Sequence, residues 1–179
     1  IPPSQDSLFT TKTSMMLPVA IMENPRKHLQ RLEQVFPRSP IYFITVVHSS
    51  RSPIFACPKF QEICEEVWAN SETLHRWSIG PYIVMPDHVH FFCRESGDEA
   101  CRLSTFVGKW KEWTAKFAKR RLGFTVPLWQ QEFFDHLVRS KESLGEKIDY
   151  LWFNPVRAGL VGEPEDWPYR GNPGGWGTL

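Results

Sequence analysis

Apolar residues along this chain recur with two different periods, and the switches between them mark out its elements. IYFITVV, residues 41–47, is β-branched and aromatic with little polar alternation, which predicts a strand buried on both faces. From residue 58 the period lengthens. Phe60, Ile63, Cys64, Val67 and Trp68 fall at i, i+3, i+4, i+7 and i+8, the stripe of an amphipathic helix over 58–74, and Pro58 suits its first turn. WSIGPYIVM (77–85) returns to strand character, with Gly80-Pro81 as an edge feature or bulge. Pro86-Asp87 signals a turn, and HVHFFCRE (88–95) is the next strand. Over 102–123 a second helical stripe forms from Leu103, Phe106, Val107, Trp110, Thr114 and Phe117, with Gly123 placed to end the helix. LWQQEFFDHLVR (128–139) begins as loop and ends as strand. Ser140 then caps a last helix, which stops near Asn154-Pro155 because proline disfavours helical backbone in the residue before it.

The predicted order is βαββαβ followed by a helix. That is an α+β fold, a ferredoxin-like or RRM-like antiparallel sheet with two helices over one face. Residues 1–40, with scattered Pro, Ser and Thr, read as an N-terminal extension holding a short helix at 26–36. Residues 41–170 form the folded domain, and the Gly- and Pro-rich residues 171–179 an irregular tail. Many functions share this fold, so function must be read from a site.

Composition narrows the classes. Eight Trp and thirteen Phe in 179 residues predict a core dominated by large rings. No apolar run approaches the roughly 20 residues of a membrane span. MMLPVAIM (15–22) is short, interrupted by Pro18 and without a basic leader, a poor secretory signal. Cys57, Cys64, Cys93 and Cys101 show no CxxC spacing, so free thiols in a reducing cytoplasm are expected. The net charge of +1 hides an asymmetry. Residues 102–123 hold seven Lys or Arg against one Glu, a local +6 that leaves −5 on the rest. Such a concentration is a candidate footprint for phosphates.

Two groups carry candidate chemistry. His88 and His90 are one residue apart in a predicted strand, so their imidazoles share a face. The pair reads either as a metal site or as two strand histidines hydrogen-bonded to backbone. Tyr150 and Asn154 lie four apart near a helix end, so a phenol and an amide share a face. A tyrosine activated by positive charge is a nucleophile, and an amide oxygen suits a hard cation. The alternatives are a packed ring with a wet hydroxyl and an ordinary helix-ending Asn-Pro.

Four blocks, VMPDHVHFF, LWQQEFFDHLVRSKESL, DYLWFNPVRAGLV and DWPYR, occur in that order. Together they resemble the REP-associated tyrosine transposases, a single-tyrosine branch of the HUH single-strand transposases, over about residues 39–169. The resemblance makes 41–170 an HUH-type catalytic domain, with the tyrosine on its C-terminal helix. It implies Tyr150 as nucleophile, with His88, His90 and Asn154 as ligands of Mg²⁺ or Mn²⁺. The chemistry implied is metal-dependent cleavage and strand transfer on single-stranded or hairpin DNA through a 5′-phosphotyrosine link. The implied partner is a repetitive extragenic palindrome, read through a tetranucleotide beside the hairpin foot. The branch implies a monomer rather than a dimer, in the bacterial cytoplasm at the nucleoid. Trp152 and Phe153 are bulky where the family varies, and the N-terminal extension is long for it.

Lys109, Lys116, Lys119, Arg120 and Arg139 are the candidate DNA-backbone contacts, and Asp87 and His136 the candidates for supporting the ligands from behind. Trp129-Gln130 either shapes a DNA surface or simply packs. Two other readings compete. One is a non-catalytic single-strand-binding module of RRM-like fold, though the RNA-binding signature of that fold is missing. The other is a metal-dependent phosphoesterase using water.

Overall fold

The computed structural model describes residues 40–176. The elements run β1 (Ile41–Val47), α1 (Pro58–Ala69), α2 (Ser71–His75), β2 (Trp77–Val84), β3 (His88–Glu95), α3 (Leu103–Leu122), β4 (Phe134–Val138), α4 (Lys141–Trp152) and α5 (Asn154–Arg157). A 3-10 turn (Pro164–Asp166) and the short β5 (Arg170–Gly171) follow. The sheet order is β4-β1-β3-β2-β5, every pair antiparallel. This is the predicted ferredoxin-like arrangement, with one short strand added at an edge.

β1 lies between β4 and β3, which is why its sequence lacks polar alternation. The helix expected over 58–74 is two helices, interrupted at Asn70 (φ −100°, ψ 0°) before a single further turn. α3 ends as predicted at Gly123, whose φ of 70° is left-handed backbone that a side chain disfavours. Ser140 caps α4 by accepting from the Ser143 N–H at 3.0 Å. The chain does not leave the helical region at Asn154: Pro155 sits in the first turn of α5, where its missing N–H costs nothing.

Strand alternation divides the core in two. Ile44, Val46, Val89, Phe91 and Cys93 face α1 and α3 and meet Trp68 and Trp110, themselves stacked with ring centres 5.3 Å apart. Ile41, Phe43, Ile83 and Phe92 face the other way, toward Leu144 and Leu151 of α4. The register of β2 on β3 slips between Ile79 and Tyr82, the bulge expected at Gly80-Pro81. A Cβ on Gly80 would stand 2.5 Å from the Trp176 ring. That close approach packs the irregular tail against the sheet. Trp176 is buried, donates to Ser78 Oγ at 3.0 Å and lies under the Arg94 guanidinium at 4.4 Å. Gly and Pro erase periodicity there without preventing burial.

The extension over residues 1–39 and its short helix at 26–36 lie outside the described residues. Among the described residues no helix is long and apolar enough to cross a membrane. The four cysteines are free thiols, as expected, with Cys64 and Cys93 buried.

Candidate active site

β3 starts at His88 because Pro86-Asp87 ends the β2–β3 connection, and alternation then sends His88, His90 and Phe92 to the α4 face. The two imidazoles stand edge to face with ring centres 4.6 Å apart. His90 is only 4% exposed. It stacks on Phe43 at 5.2 Å, and its Nδ1 lies 2.7 Å from the Thr45 hydroxyl, the residue opposite it on β1. Burial holds His90 well below the usual imidazole range, and the charges of His88, Arg157 and Lys147 push it the same way. It is therefore neutral at physiological pH.

His88 is held from behind. Its Nδ1 donates to Asp87 Oδ1 at 2.6 Å, and the Arg51 guanidinium reaches Asp87 Oδ2 at 3.4 Å. Burial raises the Asp87 carboxyl, but the hydrogen bonds and charges of His88 and then Arg51 outweigh it, so the group sits below its ordinary range. Arg51 adopts φ 59°, a left-handed backbone uncommon for a residue with a side chain. Of the two residues expected to support the histidines, Asp87 is brought against His88. His136 is not: it lies opposite Phe43 on β4, exposed, and forms no hydrogen bond with either histidine among the described residues.

Tyr150 projects from α4 over this pair. Leu144 and Leu151, buried against Phe43, Ile83 and Phe92, fix the helix and leave Tyr150 42% exposed. Its ring is 5.7 Å from that of His90 and 6.0 Å from that of Phe43, edge-on to both. Two cations frame it. The Arg157 guanidinium stands 4.3 Å from the ring centre and donates to the Tyr150 carbonyl, and Lys147 Nζ is 5.6 Å away. Neither was singled out from the sequence. Lys147 lies one residue short of a helical turn before Tyr150, a spacing that could have drawn notice. Arg157 follows a proline that conceals the continuing helix. Asn154 opens α5, partly buried, one turn beyond Tyr150. No hydrogen bond joins its amide to either imidazole among the described residues.

The donor chemistry fits a divalent ion. Two imidazoles converge with both Nδ1 atoms engaged, one by a carboxylate and one by a hydroxyl, the arrangement that frees Nε2 to bind metal. Among the described residues no three His, Cys, Asp or Glu gather as a complete site, so a third protein ligand would have to be an amide or hydroxyl.

The basic helix lies elsewhere. α3 packs on the Phe91 face of the sheet, so Lys109, Lys116, Lys119 and Arg120 project from the side opposite the histidines and Tyr150. Lys109 pairs with Glu112 at 2.9 Å, Lys116 lies over Trp113 and Arg120 over Phe117. Arg139 is exposed just past β4. Trp129 packs: it is 6% exposed and donates to Thr114 Oγ1 at 3.0 Å.

No protein-family model matches the chain. It is 26% identical over 142 residues to a Haemophilus influenzae protein named "Putative REP-associated tyrosine transposase", covering 75% of this chain and 80% of that one. It is 29% identical over 94 residues to the REP-associated tyrosine transposase of Escherichia coli, spanning 52% of this chain and about half, 53%, of that one. Its fold superposes on a REP-associated tyrosine transposase solved with a REP hairpin bound, with a TM-score of 0.60 at 20% identity over 76% of this chain and 78% of that one.

Proposed function

We propose, from its similarity to REP-associated tyrosine transposases, that the chain cuts and rejoins single-stranded DNA beside a hairpin, with Tyr150 as nucleophile. The observation that carries this reading is the convergence of two imidazoles and one half-exposed phenol on a single sheet face, 4.6 and 5.7 Å apart by ring centres. Tyr150 is also open to solvent and flanked by two cations.

His88, His90 and a third ligand, Asn154, would hold Mg²⁺ or Mn²⁺. Imidazole favours Mn²⁺, and abundance favours Mg²⁺. When bound, the ion supplies positive charge to the oxygens of a scissile phosphate. The rest falls to the chain. The Tyr150 oxygen loses its proton, attacks phosphorus in line and forms the 5′-phosphotyrosine bond. The bond to the 3′ oxygen breaks, and that oxygen takes up a proton as a free 3′-OH. Reversal by another 3′-OH rejoins strands without an external energy source. Lys147 and Arg157 set positive charge beside the Tyr150 ring, where it would attract the scissile phosphate. A hairpin of the kind named for the solved relative is the substrate, its single-stranded flank lying across the Tyr150 face.

The test is a denaturing gel with end-labelled hairpin DNA and Mn²⁺. We expect a slow-migrating covalent adduct with the native chain, none with Tyr150→Phe, and none in EDTA, with hairpin binding retained by Tyr150→Phe. An adduct at full yield from Tyr150→Phe would remove that residue from the role. Cleavage that turns over with no adduct would assign the site to water-activated hydrolysis instead.

A further inference from the structure

β4 contains an anomaly. Phe134, His136 and Val138 point to the α4 face, since they pair with Thr45, Phe43 and Ile41. Val138, beneath α4, is 2% exposed, whereas Phe134 at the other end of the strand is 61% exposed. Its position is specific. Phe134 pairs with Thr45, and Thr45 pairs with His90 and lies within hydrogen-bond distance of it. With strands about 4.8 Å apart, Phe134 stands about 10 Å from His90 in the same row. β4 is an outer strand, so beyond Phe134 the sheet ends. His136, also exposed, is its neighbour on that face.

We infer that Phe134 is a stacking platform for an unpaired nucleobase flanking the scissile phosphate, with His136 bordering it. The inference rests on the proposed function. The occupant follows from continuity and charge. The row runs from Phe134 through Thr45 to His90 without a break, and Tyr150 above it is flanked by Lys147 and Arg157. Cations beside Tyr150 suit a phosphate, and an exposed ring one step outward suits the base attached to it. An aromatic face accepts any base by stacking, so this contact adds affinity for single strand without reading sequence.

The experiment measures binding of the full chain to two hairpins, one with a single-stranded flank and one blunt. The flanked hairpin carries 2-aminopurine at successive positions. Phe134→Ala weakens binding to the flanked hairpin about tenfold, the size of one lost base–ring stack. It leaves the blunt hairpin unaffected and restores fluorescence at one flank position. Phe134→Trp keeps both signals and Phe134→Leu does not. Equal affinities of native and Phe134→Ala chains for the flanked hairpin overturn the assignment. So does an equal loss on both hairpins, or a loss of self-association by sedimentation with DNA binding intact, which gives the ring to a second copy of the chain. Adduct formation by the native chain with no Phe134 effect rejects the platform alone. Flank-specific stacking without any adduct rejects the nucleophile alone.

Discussion

The two faces of one sheet differ in almost everything except the strands that make them. Toward α1 and α3 the residues of β3 are Val89, Phe91 and Cys93, all fully buried among stacked rings. Toward α4 they are His88, His90 and Phe92, and the helix above presents a half-exposed tyrosine. The ring-packed face even buries the indole N–H groups of Trp68 and Trp110 without hydrogen-bond partners among the described residues. On the other face both imidazoles have their Nδ1 atoms engaged, by Asp87 and by Thr45. A β-strand separates these roles by one residue, so a rigid apolar layer can hold polar groups in place a few ångströms away.

The comparison predicts that stability and chemistry can be damaged separately. Trp110→Ala removes a ring that touches Trp68, Phe91 and Trp129. It should cost about 3–5 kcal/mol in denaturant unfolding. Adduct yield per folded molecule should hold. A specific loss of chemistry at full stability would mean that the two faces are coupled.

The converse substitution is Asp87→Asn. It keeps the size of the group behind His88 and removes its charge. We expect a 10- to 100-fold loss in metal affinity or cleavage, about 1.4–2.7 kcal/mol. The unfolding midpoint should stay near that of the native chain. Mn²⁺ titration of cleavage separates the two effects, because a ligand-orienting role raises the metal concentration needed. An unchanged titration curve would reduce Asp87 to a turn residue.

Much of this division was legible in the sequence. Alternation alone assigned His88 and His90 to one face, and Gly123 and Ser140 marked helix ends that the structure reproduces. Periodicity tells which side of a helix is polar. It does not tell which face of the sheet that helix covers, so the basic residues of α3 could not be distinguished from ones beside Tyr150. Arg51 reaches the site from a connecting loop, through a tertiary contact that no local pattern encodes, and Arg157 from α5, past a proline that conceals the continuing helix. Trp176 was hidden for another reason: its burial depends on the missing side chain of Gly80, nearly a hundred residues earlier. The break at Asn70 carries only a weak signal, since asparagine is merely a mediocre helix former.

The smallest effect sharpens the comparison most. Ser140 sits at the start of α4, exposed and far in sequence from Tyr150, and touches the reaction only by holding the helix. Its hydroxyl satisfies the Ser143 N–H, one of the donors a helix leaves unpaired at its beginning. Ser140→Ala should therefore cost about 1 kcal/mol, and Ser140→Asp, which preserves the acceptor, should recover most of it. If α4 is held over the histidines chiefly by Leu144 and Leu151, the cap lowers stability without moving the phenol, and adduct formation by folded protein should change less than twofold. If the first turn of α4 sets the position of Tyr150, the cleavage rate should fall together with stability, and both should return with Asp. Single-turnover adduct formation, measured beside unfolding for the three chains, decides between these outcomes. The buried leucines favour the first, because helices in folded proteins owe most of their stability to the apolar face they bury.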